Sequence, residues 1–292
     1  MLRLCGLLLG ALCLQAAGPA DHLNIDHVTV AGRDLAALRT RLFSIGIQSE
    51  YGGEHNNHAT QMALVSFPDG SYLELIGAQL HPDPAALAKH YWAAAIQTNA
   101  GPCAFAVRAT DIAGEVKRLQ TAGVAVTTAT KSGRDRPDHT HIEWESAPVG
   151  LEPNGMFFPF VIHDLTARTL RAMPKGKPTN TNFTGIAKVV IAVRDLPAAV
   201  ARYQKAYGLP QPLEQNDNEM GARLAAFEGT PVILASALNG SGWLAKRLTR
   251  SGEGPCAFLL GGKQKGGTSH WFGRDISWFD QAKLGWRLGV QY

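Results

Sequence analysis

Two stretches near the start of the chain, Asn24–Gly32 and Ser71–Ala78, alternate between hydrophobic and polar residues with the period of two that is typical of half-buried β-strands. Successive side chains of a strand point to opposite faces, so each stretch has an aliphatic face that can pack under a helix. On the other face, His27 lies in the middle of the first strand and Glu74 in the middle of the second, and these two residues are the candidate functional centre. The alternation groups Ile25, His27 and Thr29 against Asp26, Val28 and Val30, and Tyr72, Glu74 and Ile76 against Leu73 and Leu75.

The sequence around these strands predicts a β-α-β-β-β order that is written twice before residue 165. Leucines at helical spacing predict a helix from Arg33 to Phe43, and the glycines and asparagines of 52–57 predict a loop. The polar segment Lys131–Asp138 is also expected to be a loop. The other predicted elements are strands at Gln61–Phe67, Cys103–Val107, Val124–Thr128, His141–Glu145 and Met156–His163, and helices over His81–Ile96 and Asp111–Ala122.

The second half of the chain repeats the first. The stretch Ile25–Leu35 recurs in altered form as Ile186–Leu196, and the pentapeptide Gly-Pro-Cys-Ala-Phe at 101–105 recurs letter for letter at 254–258. In the second copy, the Gly/Lys-rich stretch Gly261–Gly267 stands where the first copy has a helix. We therefore predict two copies of one domain, at 21–166 and 183–292, the second shortened. A linker rich in Pro, Gly, Lys and Asn joins them at 167–182.

Composition and the N-terminus narrow the class of protein. The chain has 292 residues, enough for about two domains, and its net charge of +4 is not gathered into a basic stripe that would suit nucleic acid. Its first 20 residues have an early arginine, an apolar run over Leu4–Leu14 and small residues after it, which is the form of a secretory signal peptide. We expect an exported protein, periplasmic or extracellular, with no membrane attachment after cleavage.

Removal of the signal peptide would leave two cysteines, Cys103 and Cys256. In an oxidising compartment they could form a disulfide. Both lie in apolar strand sequences, which favours two buried thiols that act as small hydrophobic residues.

With its repeats, this chain resembles the vicinal oxygen chelate superfamily, and within it the glyoxalase-like domain family. The resemblance is carried by Ile-Asp-His-Val-Thr-Val leading into Arg-Asp-Leu, and by Tyr-Leu-Glu-Leu-Ile at 72–76. It covers about 23–165 well and 183–292 less closely. It implies an α+β fold of two tandem domains, in which paired βαβββ units form curved half-barrel sheets with a site on the inner face.

The resemblance also implies a metal site. In metal-using members, a His of the first strand and a Glu of the fourth bind a divalent ion, and these roles fall on His27 and Glu74. A third ligand often begins the fifth strand, where this chain has Pro102, which cannot ligate through its side chain. We expect His163 to take its place. The alternatives are His58, His139 and His141, whereas His55, His81 and His90 are predicted to be surface residues.

Imidazole nitrogen and carboxylate oxygen suit Zn, Ni, Mn or Fe(II), and two histidines with one carboxylate would suit Fe(II) oxygen chemistry. The second copy offers no such donors, because Lys188 replaces His27 and Ile233 replaces Glu74. Its aromatic residues are predicted to form a packed core rather than a pocket; they are Trp271, Phe272, Trp278, Phe279 and Trp286.

These observations leave two functions open. The first is a divalent-metal-dependent lyase, isomerase or dioxygenase acting on a small substrate with adjacent oxygen atoms, in which Glu74 is both metal ligand and proton carrier. The second is a metal-free protein that binds or sequesters a small molecule. Either way the partner is a small molecule, no nucleic acid is expected, and a homodimer is compatible with the sequence.

Overall fold

The computed structural model describes residues 18–263 and 266–292. The predicted signal peptide lies outside the described residues except for its last three positions. Within the described ranges, no helix is long and apolar enough to cross a membrane.

The first unit contains one eight-stranded sheet, preceded by a short 3-10 helix at Pro19–Leu23. Its first half consists of β1 (Ile25–Ala31), α1 (Leu35–Phe43), β2 (Glu50–Glu54), β3 (Thr60–Ser66) and β4 (Tyr72–Ala78). Its second half consists of α2 (Pro84–Lys89), α3 (Ala93–Gln97), β5 (Gly101–Arg108), α4 (Ile112–Thr121), β6 (Thr130–Asp135), β7 (His141–Ala147) and β8 (Phe160–Asp164).

The second unit repeats this plan after helix α5 (Arg168–Ala172), which forms within the segment predicted as a linker. It begins with β9 (Ile186–Ala192), α6 (Leu196–Tyr207), β10 (Leu213–Asp217), β11 (Ala222–Ala226), β12 (Val232–Ala237) and α7 (Trp243–Ser251). It ends with β13 (Gly254–Gly261), β14 (Ser269–Trp271), β15 (Arg274–Trp278), α8 (Gln281–Leu284) and β16 (Arg287–Gln291).

The strand order is the same in both units. The first sheet runs β2-β3-β4-β1-β5-β8-β7-β6, and the second runs β10-β11-β12-β9-β13-β16-β15-β14. In the first sheet β1 is parallel to β4 and antiparallel to β5, so two four-stranded βαβββ halves join along these central strands. The end strands approach each other through a bridge between His55 and Arg134, which nearly closes the sheet into a barrel. The predicted tandem α+β architecture is confirmed.

Some predicted elements were wrong. Strand β6 lies in the segment predicted as a loop, whereas 124–128 contributes only a bridge from Val126 to Val149. Strand β2 forms where the glycines of 52–53 predicted a loop, and the helix expected over His81–Ile96 is divided into α2 and α3. Strand β6 is polar on both faces, so it lacks the alternation from which a strand is predicted.

The helix-covered faces of both sheets share one hydrophobic core. Helix α1 begins at the N-cap Asp34, whose side chain accepts from two backbone N–H groups, and buries its leucines against Val28 and Val30. The same cluster continues into α6 of the second unit, where the Tyr203 hydroxyl donates to Phe157 O at 2.5 Å. The two units therefore pack on each other through apolar surface.

The repeated pentapeptides meet at the junction between the units. Gly101 has φ +73°, and a Cβ there would lie 2.8 Å from Trp286 of the second unit. Gly254 has φ +136° and packs against Met156 of the first unit. Arg247 Nη2 donates to Pro255 O at 3.0 Å and Pro102 O at 3.3 Å, so one guanidinium spans equivalent carbonyls of both copies. The repetition in sequence thus marks a reciprocal contact.

The cysteines that follow these prolines, Cys103 and Cys256, are buried free thiols, as the apolar context predicted. Burial raises the pKa of the Cys256 thiol to about 12 and raises that of Cys103 further. Neither thiol carries appreciable thiolate at neutral pH, so both act as small hydrophobic residues.

We predict that Gly101→Ala destabilises the protein by about 2–4 kcal/mol, because it adds a left-handed backbone penalty to a clash with Trp286. The matched control is Gly176→Ala, which has φ +68° but open space around the added methyl group. The control should cost about 1 kcal/mol in urea unfolding. Equal losses for the two variants would show that the junction accepts the extra methyl group.

Candidate functional site

The first unit has a cavity of about 420 Å³ on the inner face of its sheet. The segment containing α2 and α3 covers part of this face, where Trp92 and Ile96 pack against residues of β1, β4, β5 and β8. His27, His55 and Glu74 lie together in its lining. The rest of its wall is largely aromatic and apolar, and includes Tyr72, Trp92, Trp144, Phe160 and Ile162.

His27 and Glu74 are brought together by the parallel pairing of β1 and β4. The register sets Thr29 opposite Glu74 and His27 opposite Tyr72. The Thr29 hydroxyl donates to Glu74 Oε2 at 2.9 Å, and His27 Nε2 lies 3.7 Å from the same oxygen. The His27 ring stacks on Tyr72 with centroids 4.8 Å apart. The two residues predicted from strand alternation therefore converge in one cavity.

His27 is oriented by its neighbour Asp26. A β-bulge between Ile25 and His27 makes Asp26 the extra residue in the pairing with β5. The bulge brings the two consecutive side chains together, and His27 Nδ1 donates to Asp26 Oδ1 at 2.7 Å. The prediction that Asp26 shares the aliphatic face with Val28 was wrong for this reason. With Nδ1 as donor, Nε2 keeps its lone pair on the cavity side.

The Asp26 carboxylate is fully buried and paired with two arginines of α5. Arg171 donates to it through Nη1 at 3.0 Å and Nη2 at 2.8 Å, and Arg168 Nη1 donates as well. Burial alone would raise the pKa of Asp26, but the charge of Arg171 and the His27 hydrogen bond outweigh it and hold the pKa well below its usual range. Asp164 on β8 also pairs with both arginines, so the group has two cations and two anions.

His55 belongs to the cavity, although the sequence predicted a surface residue. A bulge at Gly52 shifts the alternation of β2, so Tyr51 lies opposite Ala63 of the helix-covered face while His55 joins the cavity side with Met62. His55 Nε2 is 3.7 Å from Glu74 Oε1, and its Nδ1 is hydrogen-bonded to Thr60 Oγ1 at 2.9 Å. Burial lowers the pKa of His55 to about 4, although the Glu74 carboxylate opposes the shift. His55 is therefore a neutral imidazole at pH 7.

His163 does not reach this cavity. Phe160 and Ile162 of β8 line it, so His163, one residue further on, points to the opposite face of the sheet. There its Nδ1 donates to Ala109 O at 2.9 Å. The placement of His163 beside His27 and Glu74 was wrong. The alternatives His58, His139 and His141 also lie outside the lining, and His90, predicted to be a surface residue, lies within it.

The donor types in the cavity suit a divalent metal. Two imidazoles and a carboxylate face one another, and each imidazole Nδ1 is engaged by another side chain, which leaves the Nε2 atoms on the cavity side. Ligands of one ion at bond lengths near 2.0–2.2 Å lie roughly 3–3.5 Å apart, somewhat closer than the 3.7 Å separations here. As the side chains stand, no group of three or more His, Cys, Asp or Glu residues in 18–263 and 266–292 is spaced to hold an ion.

Sequence reasoning missed several other residues of the lining. Arg134 lies on β6 in the predicted loop, and Trp92 and Asn154 lie in connecting segments, where Trp92 Nε1 donates to Asn154 O at 2.7 Å. Residues in such positions show no hydrophobic period. The one signal available was the pair of bulky aromatic residues Tyr91 and Trp92 after a proline-initiated helix.

The second unit differs at the equivalent positions. Lys188 Nζ donates to Thr230 O at 2.5 Å, and Ile233 is buried in a hydrophobic cluster on the inner face of that sheet. Trp271 belongs to the same cluster, with Phe272 and Trp278 packed against it. These aromatic residues pack as predicted, but Trp271 and Phe272 also line a cavity of about 800 Å³ beside Lys188 and Ile233, so the second unit has a pocket as well.

We predict that Asp26→Asn lowers the free energy of unfolding by about 3–5 kcal/mol, because it leaves the Arg171 guanidinium buried beside a neutral amide. Asp164→Asn is the control. Asp164 is more exposed than Asp26, so this substitution should lower the free energy of unfolding by less. Urea unfolding at pH 7 measures both. A loss at Asp26 no larger than that at Asp164 would contradict a central role for the buried carboxylate.

His55 also gives an expected pH dependence for the metal-free protein. The folded-state pKa near 4 lies below the unfolded value of about 6.5, so the stability contribution is complete above pH 6.5 and falls as the pH drops toward 4. His55→Gln should flatten the curve of unfolding free energy against pH across this window. Exposed His81→Gln is the control and should leave the curve unchanged. Parallel curves for wild type and His55→Gln would refute the buried neutral imidazole.

Comparisons with known proteins bear on the family and on the fold. A family model described as a glyoxalase-like domain matches residues 25–207. A hypothetical protein from Staphylococcus aureus has the same fold, with a TM-score of 0.64 at 15% identity over 92% of this chain and 98% of its own. Methylmalonyl-CoA epimerase from Mycobacterium tuberculosis aligns at 20% identity with 38% of this chain and 88% of its own, with a TM-score of 0.33.

A comparison with curated protein sequences found no significant match. The family match covers well over half of the chain and includes the strands that carry His27, His55 and Glu74. The protein therefore belongs to the glyoxalase-like domain family.

Proposed function

We propose that this protein is an enzyme that holds a divalent metal ion with His27, His55 and Glu74 and acts as a lyase, isomerase or dioxygenase on a small substrate with two adjacent oxygen atoms. One observation carries the proposal. The Nε2 atoms of two histidines approach different oxygens of the same buried carboxylate at 3.7 Å. His55 takes the place expected for His163.

Surrounding hydrogen bonds prepare the three side chains for this role. Asp26 fixes the tautomer of His27, Thr60 holds His55, and the Thr29 hydroxyl holds Glu74. Such outer partners orient metal ligands and are commonly worth 10–100-fold in metal affinity. A shift of a few tenths of an ångström at the donor atoms would bring each histidine to ligand spacing from Glu74.

A bound divalent ion would supply Lewis acidity toward the substrate oxygens. The chain itself provides the remaining functions. Glu74 Oε1, which accepts no hydrogen bond from Thr29, would receive and return a substrate proton. The aromatic wall formed by Tyr72, Trp92 and Phe160 excludes water from one side of the cavity and so strengthens the electrostatic interactions within it.

A metal-free binding protein is the second candidate. The spacing of the donor atoms favours it, because no three of these side chains in the described parts of the chain are placed to hold one ion. In this case the cavity would retain a small molecule without transforming it, and the histidines and Glu74 would supply hydrogen bonds only.

We also propose that the protein is exported, on the strength of its first 20 residues. Expression of the full chain followed by cell fractionation and N-terminal sequencing tests this. A shortened N-terminus in the exported fraction is expected, and an intact Met1 terminus retained in the cytoplasm would overturn it.

The metal proposal predicts that stripped wild-type protein, offered Zn, Ni, Mn or Fe(II) without oxygen, retains about one ion per chain after desalting, as elemental analysis would show. His27→Ala, His55→Ala and Glu74→Gln should each weaken binding more than about tenfold. His163→Ala is the control and should bind normally. Oxygen uptake by the Fe(II) form would then separate a dioxygenase from a lyase or isomerase.

Two results would contradict this proposal. Negligible metal in wild type with all four ions would favour the metal-free alternative. Retention of metal by His55→Ala, with loss in His163→Ala, would show that the ligand set is the one expected from the sequence.

A further inference from the structure

Arg134 is a buried cation in the wall of the cavity. It is 2% exposed and lies on β6, an end strand of the sheet. Its guanidinium donates to Gly52 O and, at 3.2 Å, to Arg171 O. Across 18–263 and 266–292 it forms no salt bridge with a carboxylate, so the hydrogen bonds that hold it go to two neutral carbonyl groups.

A buried guanidinium without a carboxylate partner destabilises the protein unless a bound ligand supplies the opposite charge. A buried ion without an opposite charge costs several kcal/mol, and a protein usually pairs it. A guanidinium is not deprotonated in proteins, so the buried Arg134 side chain is charged at neutral pH. The other buried arginine of the wall, Arg171, is already neutralised by Asp26 and Asp164.

The remaining charges of the cavity do not neutralise Arg134. Glu74 is the carboxylate in the lining, where its close charged contacts are with His27 and His55, and the exposed Lys89 adds a second positive charge. A bound divalent ion would add further positive charge. The cavity therefore favours an anionic ligand.

A second polar group in the wall also lacks a partner. Asn154 is buried, and its Oδ1 accepts no hydrogen bond from any residue that the structure describes. An unsatisfied buried acceptor costs about 1–3 kcal/mol, which a hydroxyl or N–H group of a ligand would recover. Arg134 and Asn154 lie on different segments of the chain, so they point to a ligand independently.

We propose that the substrate of this cavity is a small organic carboxylate. Its carboxylate binds the Arg134 guanidinium, whose planar fork matches two carboxylate oxygens. Its hydroxyl or amino group donates to Asn154, and its apolar part contacts Trp92, Trp144 and Phe160. The volume of about 420 Å³ is in the range of small-molecule sites. This rests on the proposed function in taking the cavity as the substrate site, and it adds the substrate class.

Calorimetry with charged and neutral probes of the same shape tests the proposal. The probes are 3-phenyllactate and its neutral amide, with mandelate and 4-hydroxyphenylacetate as further acids, against metal-free desalted protein. Wild type should bind at least one acid about tenfold or more tightly than the amide, as a charged hydrogen-bonded pair implies. Arg134→Gln should weaken acid binding about 10–100-fold and leave amide binding within about twofold. Arg223→Gln, at an exposed arginine paired with Glu214 in the second unit, is the control.

A second variant covers the case in which Arg134→Gln does not fold. Asn154→Asp keeps the size of the side chain and adds a negative charge to the cavity, so it should weaken acid binding and spare the amide. Equal affinity of wild type for acid and amide, or no binding of any acid at about 10 mM, would overturn the proposal.

Metal content of the same proteins separates the two proposals. Arg134→Gln should retain metal as wild type does. Discrimination between acid and amide in a protein that binds no metal would remove the metal proposal alone. Metal binding without that discrimination would remove the carboxylate proposal alone.

Discussion

The buried carboxylate of Asp26 joins the scaffold to the cavity. On one side it accepts from His27, which sets the direction of that imidazole, and on the other it is paired with Arg168 and Arg171 of α5. A buried carboxylate is stable only while its cations and hydrogen-bond donors are in place. The position of α5, which the sequence suggested was part of a linker, is therefore tied to the geometry of the site. The short helix completes the first unit as well as leading to the second.

The two units of this duplicated fold differ in the side chains on the inner face of the sheet. In the first, polar side chains on the inner face of the sheet leave a cavity, and their hydrogen bonds come from Asp26, Thr29 and Thr60. In the second, Ile233 and Trp271 belong to a hydrophobic cluster on the inner face, and the cavity they line has Lys188 at the position of His27. The helix-covered faces remain alike because both contribute to the shared core. The shared core and the candidate site thus lie on opposite faces of the same kind of sheet.

The fold and half of the site could be predicted from the sequence. Regular alternation in two strands identified His27 and Glu74, and internal repetition identified the tandem units. The remaining residues of the site lie where the strands depart from regular alternation. A bulge at Gly52 turned His55 inward, another brought Asp26 beside His27, and Arg134 lies on an end strand that is polar on both faces. A one-residue shift in pairing reverses which side chains share a face, and periodicity cannot show where such a shift occurs.

The reciprocal contact of the two Gly-Pro-Cys-Ala-Phe segments has a consequence for how such a protein arises. Each unit presents the same short segment to the other, which is the arrangement of a symmetric dimer interface. Two separate copies of an ancestral single unit could associate through this surface. Fusion into one chain makes the association intramolecular, with an effective concentration on the order of millimolar, so pairing no longer depends on expression level. One half can then lose the imidazole and the carboxylate of its inner face while it remains a permanent partner of the other.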